Sequence, residues 1–103
     1  MIVRIWEADV APEHVDEFCA LIASVILPKV LTIDGYLSGE ALRPLAAEQD
    51  EARIVLITHW RDEESLRAHL GPMWRVRPIW DEQELEYVTR PPRVWHFEPV
   101  KAP

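Results

Sequence analysis

Apolar residues recur along this chain with two periods, and the switches between them lay out its elements. Ile2 to Val10 is β-branched and loosely alternating, which predicts a strand. Ile2, Arg4, Trp6 and Ala8 share one face of it; Val3, Ile5, Glu7 and Asp9 share the other. Ala11-Pro12-Glu13 then reads as a helix start, with Glu13, Asp16 and Glu17 favouring the positive end of the helix dipole. Val15, Phe18, Cys19, Ile22, Val25 and Ile26 fall on one helical stripe. Pro28 should kink or end that helix, with Lys29 to Ile33 adding a further turn, and Asp34-Gly35 marks a turn. Tyr36 to Leu45 predicts a second strand, and the polar residues 46–51 a hairpin connection. Arg53 to Trp60 is an apolar run suited to a central strand. Asp62 reads as an N-cap for a helix that passes through His69 to Leu70 and stops at Gly71. Pro72 opens a predicted short helix, Met73 to Trp80. Asp81 to Pro92 reads as loop, with a short strand at Leu85–Thr89 as an alternative, and Arg93 to Val100 closes the chain as a strand.

The order β-α-β-β-α-β is the split pattern of an α+β, ferredoxin-like domain over residues 1–103, in which two helices cover one face of a four-stranded antiparallel sheet. The uncovered face also carries apolar groups: Val3 and Ile5, and either Val55 and Ile57 or Ile54 and Leu56. Such a face is expected to bury itself against a second copy, which predicts a homodimer through the sheet faces.

Composition narrows the function. The length of 103 residues allows one domain, and 49% hydrophobic with 28% charged residues is ordinary for a folded chain. The formal net charge of −7 argues against nucleic acid as a partner, since phosphate binding rests on Lys and Arg. The longest apolar stretch, Cys19 to Leu27, is too short to span a bilayer, so no membrane association is expected. One Cys and no recognisable signal sequence fit a reducing, cytoplasmic setting. The net negative charge falls in residues 1–51, whereas acids and bases balance in the second half, where Arg67, Arg75, Arg77, Arg90 and Arg93 lie and an anionic small molecule would more readily dock.

Ile33-Asp34-Gly35-Tyr36-Leu37-Ser38-Gly39, the strand end Thr58-His59-Trp60 and the stretch Asp62-Glu63-Glu64-Ser65-Leu66-Arg67-Ala68-His69 resemble the antibiotic biosynthesis monooxygenase-like family. The resemblance runs from Ile2 to about Val100. It implies a dimeric α+β barrel with one pocket per subunit, between the sheet and the two helices. Members include cofactor-free monooxygenases acting on polycyclic phenols, and haem-degrading enzymes. The haem-degrading branch uses an Asn on the first strand, a Trp on the second helix and an axial His. Those positions fall here on Trp6, on His69, and near Arg77 or Pro78, which disfavours haem degradation.

His69 is the leading catalytic candidate: a neutral imidazole beside the core stripe of its helix could deprotonate a phenol, or it could be a hydrogen-bonded structural His. Trp6, Trp60, Trp74, Trp80 and Trp95 could wall a cavity for a flat ligand or fill the core and dimer interface; Trp6 and Trp74 are the preferred walls. Arg4 either points inward with Trp6, as an anion anchor or with an internal partner, or lies at an edge or interface. Arg75 and Arg77 could meet a substrate carboxylate. His14, His59 and His96 show no metal-ligand spacing, and Cys19 reads as a core thiol. The expectation is a cofactor-independent oxidation of a small aromatic or phenolic molecule, with no metal site. The alternatives are a non-enzymatic module for a hydrophobic ligand or haem, and an isomerase or lyase on the same barrel.

Overall fold

Strand β1 (Ile2–Val10) sits near the middle of a sheet with order β2-β3-β1-β4, and every neighbouring pair is antiparallel. This computed structural model describes residues 1–45, 52–78 and 82–101. The hairpin expected at 46–51, and Trp80 with the start of the loop expected from Asp81, lie outside the described residues. The other strands are β2 (Tyr36–Leu42), β3 (Ala52–Trp60) and β4 (Arg93–Phe97). Their order and direction are those of the ferredoxin-like α+β fold that the sequence pattern predicts.

The connection from β1 to β2 is one continuous helical run. It opens with a 3₁₀ turn (Pro12–His14), becomes α1 (Val15–Leu21), widens to a π segment (Ile22–Ile26) and closes as α2 (Leu27–Val30). The widening explains how the helix passes Pro28. A proline ring collides with the carbonyl four residues back, here that of Ser24. In the widened turn the Leu27 N–H reaches Ile22, five residues back, and Ser24 Oγ donates to the Ala20 carbonyl at 2.6 Å. Past Val30 the chain tightens through Thr32 N–H to Lys29 and Ile33 N–H to Val30, the extra turn expected there.

The second helix, α3 (Glu63–Leu70), has the expected ends. Asp62 accepts the Ser65 N–H at 2.9 Å, and Gly71 closes the helix at φ +84°, a conformation available to glycine at little cost.

Four expectations need correction. The second strand stops at Leu42 and not at Leu45, because Pro44 has no N–H to give a ladder. Residues 72–78 form turns and no helix. Gly71 N–H bonds Arg67 and Trp74 N–H bonds the Gly71 carbonyl, then Arg77 N–H reaches Met73, and Pro78 disfavours a helical Arg77. Within the expected loop, Glu82–Glu86 is a 3₁₀ turn, and Val88 makes a single bridge to Val10 where a strand over Leu85–Thr89 was the alternative. The last strand ends at Phe97, two residues before Pro99.

The helices cover the face that holds Arg4, Trp6, Ala8, Ile54, Leu56 and Thr58, all buried. Phe18, Ile22, Ile26 and Val30 from the helical run and Leu66 and Leu70 from α3 close over them. Trp6 stacks on Phe18 with centroids 5.9 Å apart, and Phe18 meets the edge of Tyr87 at 5.8 Å. Each such large apolar side chain contributes roughly 1.5–3 kcal/mol by leaving water. The opposite face carries Val3, Ile5, Val55 and Ile57, half-buried, beside Trp95 and Phe97, 42% and 52% exposed. Of the two alternatives for β3, the outward pair is therefore Val55 and Ile57. Among the described residues no helix is long and apolar enough to cross a membrane.

Candidate functional site

Pairing between β2 and β3 sets one Tyr36 opposite Trp60, so the residues just before β2 meet those just after β3. The Arg61 N–H donates to the Gly35 carbonyl at 2.8 Å, tying the two segments. Gly35 has φ +93°, and a Cβ there would lie 2.0 Å from Ser65 Oγ, so only glycine lets this turn close against α3. Beside this contact opens a cleft of about 570 Å³, lined by Ile33, Asp34, Arg61, Glu64, Ser65, Ala68 and His69.

The cleft wall is tightly wired. Arg61 reaches Asp34 at 3.2 Å, Asp62 at 3.3 Å and Ser65 Oγ at 3.2 Å. Ser65 Oγ in turn donates to Asp62 Oδ1 at 2.7 Å. Hydrogen bonds from Ser65 hold the Asp62 carboxyl below its usual range, and the bond to Asp34 is the main cause that raises Arg61. Both groups therefore stay charged, and much of the Arg61 charge is offset by its two carboxylates.

His69 stands at the other end of this wall, one helical turn beyond Ser65. Burial pushes its imidazole below the ordinary histidine range, and the positive charges of Arg77 and Arg4 push the same way. It is consequently neutral at neutral pH, the form in which a histidine accepts a proton.

Arg4 lies behind that wall. Its side chain is fully buried in the space between sheet and helices, which settles the alternative left open for it. The guanidinium donates to the Trp74 carbonyl at 3.0 Å, to His96 Nε2 at 2.8 Å and to the Arg77 carbonyl. Burial, then the charges of Arg4 and Arg75, lower His96 to about 4, so its ring is neutral and accepts from Arg4. Trp74 lies edge-on to His96 at 4.8 Å, and the Arg75 guanidinium sits 4.8 Å above the Trp74 ring.

Of the six candidate residues, His69 is the one that lines the cleft. Trp6 is packed on Phe18 under the helices, its buried Nε1 without a hydrogen-bond partner among the described residues. Trp60 donates Nε1 to Thr58 Oγ1 at 2.9 Å and meets the edge of Tyr36. Arg4, Trp74 and Arg77 are brought together, but by way of the two backbone carbonyls. The exposed Arg77 side chain donates to the Leu70 carbonyl at 3.2 Å, next to His69. Cys19 packs partly buried against the core. Among the described residues no three His, Cys, Asp or Glu side chains converge to hold a metal ion.

Ile33, Asp34, Gly35, Arg61, Glu64, Ser65 and Ala68 are site residues that pattern reading missed. Asp34-Gly35 and Asp62 carry a local signal, but as turn and cap; their meeting follows from strand register.

No significant match is found among curated proteins. The fold recurs in solved structures. The monooxygenase ActVA-Orf6 of Streptomyces coelicolor, solved with nanaomycin D, superposes with a TM-score of 0.66 at 18% identity, over 98% of this chain and 88% of that one. Rv0793 from Mycobacterium tuberculosis gives 0.65 at 23% identity, over 98% and 96%. A conserved protein from Methanosarcina mazei Go1 gives 0.68 at 22% identity, over 97% and 94%. The sequence model for antibiotic biosynthesis monooxygenase matches residues 1–72, which span β1 to the end of α3, and the chain belongs to that family.

Proposed function

We propose that this protein is a monooxygenase that oxidises a small phenolic or other aromatic molecule with dioxygen, His69 serving as the base. The carrying observation is a neutral imidazole on the wall of a 570 Å³ cleft in a chain of this family. That ActVA-Orf6 was solved with nanaomycin D supports an aromatic substrate class.

The chemistry needs an electron-rich anion. An ordinary phenol ionises near pH 10, as tyrosine does, so at neutral pH it must lose its proton to a base. The positive field that keeps His69 neutral also favours the phenolate. The phenolate passes one electron to dioxygen, and the phenoxyl radical and superoxide combine at a ring carbon. Loss of water from that peroxide leaves a quinone, with one oxygen atom in the product and the other in water. The substrate supplies every electron, so the scheme calls on no cofactor. The walls of the cleft bind and orient the ring and shield the radical pair.

Two copies of the chain, paired through Val3, Ile5, Val55, Ile57, Trp95 and Phe97, complete this reading. Those side chains form an apolar surface on a sheet whose other face is already packed.

An oxygen electrode with a panel of naphthols and hydroquinones tests the activity. One dioxygen consumed per quinone formed is expected with a naphthol that has a free ring position, and His69→Ala should slow it by about 10²-fold or more. Ligands that bind without any oxygen uptake would leave a binding module as the better reading.

A further inference from the structure

We infer that Arg4 is a positioning residue for His69: from inside the sheet it holds the Trp74–Arg77 turn against the C-terminal end of α3, and so fixes the Arg77 guanidinium beside the imidazole. The inference rests on His69 as the proposed base, and it gives the buried arginine a task other than binding substrate.

Burying a guanidinium is costly unless its donors are satisfied. Here the fork is spread over the carbonyls of Trp74 and Arg77 and over His96 Nε2, so one side chain joins β1, β4 and the turn after α3. Residues 72–78 have only short turn bonds of their own, so their position depends on what they are tied to. The Arg77 side chain makes the next link, to the carbonyl of Leu70.

Among the described residues, charged groups reach His69 from several elements. Asp34, Arg61 and Glu64 share its cleft, Arg77 comes from the turn, Arg4 from β1, and neutral His96 lies behind Arg4 on β4. Arg61 is offset by Asp34 and Asp62, and Glu64 acts in the opposite sense and is independent of Arg4. Arg77 is the contribution whose place Arg4 controls. Both guanidiniums depress the imidazole, burial being the larger cause.

NMR titration of the His69 ring in the intact protein tests this without any turnover. Arg77→Gln alters an exposed side chain and should fold; it should move the His69 midpoint up, towards the ordinary value. Arg4→Lys keeps the buried charge but cannot fork across two carbonyls and an imidazole, so it should produce a similar rise. The double variant should rise no further than the larger single change. The inference is overturned if Arg77→Gln leaves the midpoint in place, or if Arg4→Lys folds and titrates like the wild type. It is equally overturned if the two shifts simply add. A shifted midpoint in a protein that consumes no oxygen would uphold this link and sink the proposed activity; normal uptake with unmoved midpoints would do the reverse.

Discussion

On the helix side of the sheet, Arg4, Trp6, Ile54, Leu56 and Thr58 are buried, and the apolar ones form one core with Phe18, Ile22, Ile26, Val30, Leu66 and Leu70 from the roof. On the other side the same two strands present Val3, Ile5, Val55 and Ile57, and the edge strand adds Trp95 and Phe97, none of them fully buried. Alternation along a strand makes both faces from one stretch of sequence, so their difference lies in what covers them and not in how apolar they are. The packed face holds the fold; the bare one is free to hold a copy.

The sharpest way to break that comparison is to truncate one tryptophan on each face. Trp6→Ala removes a ring stacked on Phe18 and should cost about 3–5 kcal/mol in chemical denaturation. Trp95→Ala, on the bare face, should cost the isolated subunit under about 1 kcal/mol. Equal losses in dilute protein would mean the two faces do not differ as described.

The next test acts on association alone. Ile57→Lys places a charge in the middle of the bare face, opposite Ile5. Sedimentation should show the wild type as a dimer and the variant as a folded monomer, because an unpaired ammonium resists burial in an apolar interface. A wild type that sediments as a monomer would remove the pairing.

The smallest effect concerns charge inside the packed face. His96 titrates at about 4 when folded, against about 6.5 for an unfolded chain. The unfolded state therefore takes up its proton first as pH falls. The stability this group confers is complete above about 6.5 and drains away down to about 4. Allowing for solvent screening of a partly exposed ring, the loss should be on the order of 1 kcal/mol. Denaturation midpoints at pH 7 and pH 4.5 should differ less in His96→Gln than in the wild type; an unchanged gap would count against the assignment.

What the sequence discloses here is what is settled locally. The alternation of β1 and β3, the Asp62 cap and the Gly71 stop lie within a few residues of the elements they define, and each is found where the pattern puts it. Residues 72–78 and 82–92 lie where the sequence has no periodicity, and their anchors are distant ones: Arg4 for the turn, and the carbonyl of Asp9, which accepts from both the Thr89 N–H and hydroxyl. The direction of Arg4 was undecidable because backbone carbonyls satisfy it, and carbonyls leave no mark in a residue pattern. His69 was legible as a lone histidine beside a core stripe. Its cleft was not, since Asp34 and Arg61 become neighbours only once Tyr36 pairs with Trp60.

The π segment ahead of Pro28 has a geometric consequence for the whole roof. Phe18, Ile22, Ile26 and Val30 succeed one another at a constant interval of four, and all are buried. In a straight α-helix each such step overshoots a full rotation by about 40°, so by Val30 the row would have swung about 120° from Phe18. The slack turn takes back part of that sweep. A single seam can then run the length of the helix and deliver the chain, at Ile33 and Asp34, to the threshold of the cleft.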